Sequence, residues 1–300
     1  MDRAIALGFF DGLHLGHQAL LEQAARRASE GGFTPALLTF DRSPREYVTG
    51  VPVPLLTTAE ERQAAAAALC PGAEVIVAPF DREMMTMPWE DFVTWLVRRW
   101  DARWLVAGHD FRFGHKNAGN AALLSQRASA LGLGCDVIPP VTLDGVTVSS
   151  THIRGLLERG DAETAARFLG RPFAITGPVR HGKGLGSSRL DAPTVNLAPD
   201  EHQLIPAFGV YVTRVTVAGH SGPAVTNVGV RPTVDTDGGV TVESHLLDRQ
   251  GDLYGVRCRV EFLRMLRPER RFRSLEDLRR QIARDGEAAR AYFQSISRDI

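Results

Sequence analysis

Hydrophobic periodicity changes once along this chain, near Arg171-Pro172, and that change limits the fold more than anything else in the sequence. Before it, short apolar runs alternate with helical patterns. Ala4–Phe9, Pro35–Phe40, Glu74–Ala78, Trp104–Ala107 and Cys135–Ile138 read as buried strands, and Gln18–Glu30, Thr58–Leu69, Trp89–Trp100 and Ala118–Leu131 as helices. Thr58 and Glu61 have the spacing of a capping box. Such alternation predicts right-handed crossovers and a mostly parallel sheet. After it, Phe208–Val217, Ala224–Val230, Val240–Leu247 and Val256–Phe262 alternate or run β-branched, with Asp237-Gly238-Gly239 as a hairpin turn. A last helix is expected from Ser274 to about Ser295. The 300 residues therefore divide into an α/β domain over 1–170 and a small antiparallel β-barrel with a C-terminal helix over 171–300.

Composition removes several function classes. Thirty-five basic and thirty-five acidic residues leave no net charge, so nothing global favours a nucleic acid or another polyanion as partner. No run approaches the ~18 apolar residues of a membrane helix, and Met1–Phe10 reaches Asp11 without a basic segment or a cleavage site. Three widely spaced cysteines, Cys70, Cys135 and Cys258, read as buried thiols of a reducing compartment. The expectation is a cytoplasmic protein acting on small molecules, with its oligomeric state left open.

The sharpest chemical signal is Gly8-Phe9-Phe10-Asp11-Gly12-Leu13-His14-Leu15-Gly16-His17, between the first strand and the first helix. Gly8, Gly12 and Gly16 allow tight turns and close backbone approach. The helix N-terminus beyond them suits a phosphate. Two imidazoles three residues apart, His14 and His17, can converge on one phosphoryl group. Val148-Ser149-Ser150-Thr151-His152-Ile153-Arg154 sits before another helix, where hydroxyls and amides could hold phosphate and Arg154 could neutralise it. Between them, Gly108-His109-Asp110-Phe111-Arg112-Phe113-Gly114 offers an aromatic wall for a flat heterocycle.

In the second half, Gly177–Gly186 reads as a glycine-dense loop after a strand, in which Gly182, Lys183, Gly184 and Gly186 could wrap a phosphate. Thr194 and Asn196 lie at alternate strand positions, so both oxygens could reach one Mg²⁺.

These motifs, in this order, resemble the bacterial bifunctional riboflavin kinase/FAD synthetase family over residues 4–293. The first half resembles the HxGH nucleotidyltransferases with their Rossmann-like sheet. The second resembles the flavokinase module, through Ala192-Pro193-Thr194-Val195-Asn196, Val225–Thr233, Val242-Glu243-Ser244-His245, Gly251–Gly255 and Phe272–Leu278. The resemblance implies ATP and Mg²⁺, with riboflavin, FMN and FAD as substrates and products. It implies that His14 and His17 stabilise the α-phosphate of ATP, and that Ser149, Ser150, Thr151 and Arg154 surround the β- and γ-phosphates. Gly8, Phe9, Asp11, Gly12 and Gly16 line the nucleotide, Asp110 and Phe111 the flavin. Glu243 is implied as the base facing the ribityl hydroxyl, with Thr194 and Asn196 as the Mg²⁺ and phosphate ligands. Phe9, Ser43, Asn120, Asp191 and Ala192 replace residues usual in the family, Asn, His, Asp, Gly and Phe respectively. The last two foretell an altered kinase activity. Two other readings stay open: an HxGH enzyme using another nucleotide, since no residue selects adenine, and a non-enzymatic flavin- or RNA-binding regulator, for which no basic stretch with interleaved aromatics is present.

Overall fold

Five apolar runs in the first half become five parallel strands. The computed structural model describes residues 1–180, 194–230, 239–248 and 255–296, in two compact units, Met1–Ser150 and Thr151–Ile300. The expected hairpin turn at Asp237-Gly238 lies outside the described residues, as do Gly182, Lys183, Gly184, Gly186, Asp191 and Ala192.

The first unit runs β1 (Arg3–Leu7), α1 (Leu15–Gly31), β2 (Thr34–Phe40), α2 (Pro44–Thr49), α3 (Ala59–Leu69), β3 (Glu74–Ala78), α4 (Arg82–Thr86), α5 (Trp89–Trp100), β4 (Ala102–Gly108), β5 (Arg112–Phe113), β6 (Gly119–Asn120), α6 (Ala121–Ala130), β7 (Gly134–Ile138), β8 (Thr142–Leu143) and β9 (Val146–Thr147). Its sheet has the order β3-β2-β1-β4-β7, with every pairing parallel. Strands covered on both faces need apolar residues at every position. Accordingly, Ile5 and Leu7 join one core with Leu38, Leu105, Phe92 and Leu96, while Ala6 joins another with Leu20, Leu21, Leu37 and Val106. The second core is the footprint of α1, which packs across β1, β2 and β4.

Local signals explain most boundaries. Thr58 and Glu61 make the expected capping box on α3. Gly32, at φ 68°, stops α1. Two expectations are corrected here. The first strand ends at Leu7, not Phe9, because Gly8 turns out of the sheet. The helix expected from Ala118 begins at Ala121, because Gly119 and Asn120 pair with β5 and Asn120 caps the helix by accepting from the Leu123 amide. Asn and Asp cap equally well, so Asn120 costs this helix start nothing. Ser43 likewise caps α2 through Glu46.

The second unit takes in most of α7 (Ser150–Glu158), then α8 (Ala162–Leu169), β10 (Phe173–Arg180), β11 (Thr194–Leu197), β12 (Gly209–Val217), β13 (His220–Val230), β14 (Val240–Leu246), β15 (Arg257–Pro268) and α9 (Leu275–Ile296). Six antiparallel strands close into a barrel, β10-β11-β14-β13-β12-β15. Val195, Tyr211, Val260, Phe262 and Ile175 fill it. A buried hydroxyl chain crosses it, Thr213 to Thr226 at 2.6 Å and Thr226 to Ser244 at 2.7 Å, so each polar atom is satisfied. Outside, α9 covers β12 and β13 through Ala289, Tyr292 and Phe293 against Val210, Val212 and Val225.

Two more readings change. Gly177–Arg180 is not loop but the end of β10, paired with β15 and then β11. Its Gly-Pro pair mimics a turn, yet β11 joins only at Val179 and Arg180, and Pro178 is tolerated where one edge carries no ladder. Ser150, Thr151 and Arg154 stand within the first turns of α7 rather than before it.

Candidate functional sites

In the first unit the strand order reverses at β1, whose neighbours are β2 on one side and β4 on the other. Open parallel sheets bind ligands at this switch point, outside the carboxyl ends of the strands. The Gly8–His17 segment leaves β1 there, and Gly108-His109-Asp110 leaves β4 there.

The Gly8–His17 turn is strained and heavily braced. Phe10 and Leu13 adopt φ of 59° and 43°, unusual for residues with side chains. Leu13 N donates to Phe10 O at 3.1 Å. Thr57 N and Oγ1 donate to the Asp11 carboxylate at 3.1 and 3.3 Å, and Gly12 N donates to Thr57 Oγ1 at 3.0 Å. Ser150 Oγ donates to the Asp11 carbonyl at 2.9 Å. From the other side, Thr39 Oγ1 and Arg62 NH1 both donate to Phe9 O, at 2.7 and 2.8 Å. Asp11 is thus an inward anchor of the loop, only 3% exposed. The hydroxyl proton of Ser150 ties the start of α7 to that loop.

The histidines follow from this brace. His14 is the N-cap of α1, and its Nδ1 accepts from the His17 amide at 3.3 Å. That bond leaves the ring proton on Nε2, so His14 presents an N–H donor away from the helix. The two imidazoles stack with centroids 3.6 Å apart and planes 13° apart, and Phe10 backs His17 at 5.1 Å. Gly16 leaves room for the stack, since a Cβ there would stand 3.2 Å from His14 Nδ1 and press on the ring. At the same end of α1, the Leu15 and Gly16 amides have no acceptor among the described residues, as an anion site needs.

The loop after β4 is only partly an aromatic wall. Phe113 is buried and packs on Phe92 at 5.1 Å, and half-buried Phe111 stacks on Phe113 at 5.4 Å. Phe113 therefore belongs to the core. Asp110 is exposed beside Gly108, where a Cβ would meet its Oδ1 at 3.0 Å.

In the second unit, Val195 and Leu197 point into the barrel, so Thr194 and Asn196 share its outer face. The register places Asn196 opposite Glu243, Glu243 opposite Asn227, and Thr194 opposite His245. Directly opposed residues stand ~5 Å apart at Cβ. Asn196, Glu243 and Asn227 hence form one polar row across β11, β14 and β13, with Asn196 only 6% exposed. Asn227 Nδ2 donates to Glu269 at 3.1 Å. Burial, and then the charge of Arg290, hold the His245 imidazole below its usual pKa. The amide and hydroxyl oxygens of Asn196 and Thr194 are hard donors, the kind Mg²⁺ takes alongside substrate phosphates.

Sequence reasoning missed Thr39, Thr57 and Arg62. Each is an ordinary strand, loop or helix residue in the sequence, and only the fold aims them at Phe9 and Asp11. Asn227 and His245 lay in recognised segments, but their places beside Glu243 and Thr194 depend on register.

Comparison with known proteins bears on both sites. The FAD synthetase family model matches residues 1–152 and the riboflavin kinase family model residues 169–293. A bifunctional riboflavin kinase/FMN adenylyltransferase of Pseudomonas fluorescens is 40% identical over 95% of this chain and 91% of its own length. Its namesakes from Haemophilus influenzae and Escherichia coli K12 are 35% and 34% identical, over 97% and 96% of this chain and 94% and 92% of their own. A crystal structure from Streptococcus pneumoniae, described as a macrolide-efflux protein, superposes with a TM-score of 0.85 at 26% identity, covering 96% of this chain and 94% of that one. Among the described residues of this chain, no helix is long and apolar enough to cross a membrane.

Proposed function

Because the chain belongs to the family of bifunctional riboflavin kinase/FMN adenylyltransferases, phosphorylating riboflavin and adenylylating FMN with ATP, we propose that the two reactions are divided between its halves. FMN adenylylation falls to residues 1–170 and riboflavin phosphorylation to residues 171–300. The observation that carries the first assignment is the His14–His17 stack, with its ring N–H directed away from a helix N-terminus at the switch point of the sheet.

In adenylyl transfer the FMN phosphate attacks the α-phosphorus of ATP and pyrophosphate leaves. Charge grows on the non-bridging oxygens in the transition state. Fixed donors of the protein need no reorganisation to meet it. His14 and His17 supply those donors, with the end of α1 behind them. Ser149, Ser150 and Thr151 receive the leaving phosphates through the start of α7, chiefly through backbone amides, since the Ser150 proton is committed to Asp11. Arg154 neutralises the pyrophosphate, and Gly8, Phe9, Asp11, Gly12 and Gly16 shape the nucleotide cradle. Asp110 and Phe111 face the flavin.

In the kinase reaction Glu243 takes the proton of the ribityl 5′-hydroxyl as that oxygen attacks the γ-phosphorus. Thr194 and Asn196 would hold Mg²⁺, and the bound ion would neutralise phosphate charge. Opposition of Asn196 and Glu243 across two strands supports this reading, since it brings a cation ligand beside a base. Gly182, Lys183, Gly184 and Gly186 are assigned to the phosphates on their residue types and the family resemblance, since they lie outside the described residues. The protein works in the cytoplasm, where ATP and flavins are at hand.

The test is incubation of the full chain with riboflavin, ATP and Mg²⁺, with flavins resolved by chromatography over time. FMN should rise first and FAD follow. Nucleotide binding without any new flavin would leave only a regulator.

A further inference from the structure

Among the described residues Arg62 is the largest side chain with almost no exposure, 2%, and it comes from an alanine-rich helix. No ion pair with a carboxylate accompanies it among the described residues. Its NH1 donates to Phe9 O at 2.8 Å and to Thr39 Oγ1 at 2.9 Å, with Phe40 O at the limit of reach, 3.5 Å. Its guanidinium carbon lies 4.4 Å above the Phe9 ring. A buried cation without a carboxylate partner is costly. Burial also pushes the Arg62 pKa down, against the field of nearby Asp11. A methionine would fill similar space without that cost, so an arginine here requires a task beyond packing.

Resting on the adenylyltransferase reading above, we infer that Arg62 is a positioning residue for FMN adenylylation, clamping the Phe9 carbonyl so that the Phe10–His17 turn stays in its strained form. The peptide group is planar, so holding Phe9 O also holds the Phe10 amide. Phe10 cannot then escape its φ of 59° by a flip of that peptide. Phe10 O accepts from Leu13 N, and the Phe10 ring supports His17. A released Phe9 carbonyl therefore loosens the His14 cap and the stack of the two imidazoles. Arg62 touches no reacting atom in this scheme. Phe9 offers Arg62 a backbone carbonyl, as any residue would, and a ring face, which an asparagine would not supply.

The test uses the full chain, with riboflavin phosphorylation as an internal control, and the variants Arg62→Met, Arg62→Lys and Thr39→Val. With FMN, ATP and Mg²⁺ supplied, kcat for FAD formation should fall roughly 10- to 100-fold in Arg62→Met, the scale on which small misplacements act. KM for FMN should stay within about threefold and kinase turnover within about twofold. Arg62→Lys keeps one donor for the carbonyl and should recover most of the lost kcat. Thr39→Val should cost less than Arg62→Met, and the pair should lose less than the product of the single effects, since both act on one carbonyl. Imidazole ¹⁵N spectra should show His14 Nδ1 as an acceptor in the parent chain and a mixture of tautomers in Arg62→Met. A folded Arg62→Met with kcat within about threefold of the parent overturns the inference. So does a lysine variant as impaired as the methionine one, with losses that only track melting temperature. If the parent chain itself makes no FAD, the functional reading fails instead, and the ¹⁵N signature alone then decides the clamp.

Discussion

His14 has two unlike nitrogens, and the proposed chemistry gives each its own task. Nδ1 caps α1 by accepting from the His17 amide, and that bond directs the proton to Nε2. His14→Ala should lower FAD formation about 10²- to 10³-fold, the usual worth of one donor to transition-state charge, while FMN formation from riboflavin stays near normal. Comparable loss of both reactions would make His14 a structural residue. Glu243 lies in the other unit and should behave conversely. Glu243→Gln keeps the shape but cannot take a proton, so FMN formation should fall 10²- to 10⁴-fold and adenylylation of supplied FMN persist. A folded glutamine variant with full kinase turnover would remove Glu243 from the chemistry.

At the scale of elements, α1 must stay seated on the sheet for its N-terminus to keep its aim. Asp136 on β7 holds it there. It accepts from Arg27 at 2.7 and 3.1 Å, from Gln23 at 2.6 Å and from Trp104 Nε1 at 2.9 Å, and Arg27 also stacks on Trp104 at 4.5 Å. Desolvation raises the carboxyl pKa, but the bonds from Arg27, Gln23 and Trp104 outweigh it and the net shift is downward from 3.8. A lowered folded pKa means this contribution is complete above pH 3.8 and is lost as pH falls through the folded value. Asp136→Asn should destabilise the α/β unit by about 1.5–3 kcal/mol, the range for hydrogen bonds to charged groups, and flatten its acid unfolding below pH 4. Urea melts at pH 7 and pH 3 read both effects. Equal destabilisation at the two pH values would show that the charge is irrelevant.

For the whole molecule, the proposed division of labour depends on which helices accompany the barrel. Residues 151–170 pack with it: Ala207 N donates to Leu157 O, Arg264 pairs with Glu163 at 2.7 Å, and α8 lies on β10 and β15. A fragment of residues 151–300 should therefore fold, make FMN and make no FAD. A fragment of 171–300 loses α8, whose Ala165, Phe168 and Leu169 are buried, and should melt lower while keeping the same specificity. FAD formation by either fragment, or equal melting of the two, would contradict this division.

Much of this was legible in the residues alone, wherever the signal was local. Five parallel strands, the capping box at Thr58, the barrel strands and the final helix all rest on periodicity and caps, which act over a few neighbouring residues. The His-x-Gly-His segment was legible for the same reason, because tight turns and helix starts are coded within ten residues. The motifs of each half are what point to the chemistry proposed for it. Contacts distant in the chain were decided only by tertiary structure. Arg62 reads as a solvated helix residue until α3 lies against the end of β1, 53 residues away. Asn196 and Glu243 become neighbours only through the β11–β14 register, and a slip of one residue would turn them to opposite faces of the barrel wall. Gly177-Pro178 reads as a turn until closure of the barrel makes it strand. Pairing partners, unlike periods, are chosen by the packing of the whole core, and no short stretch of sequence contains that choice.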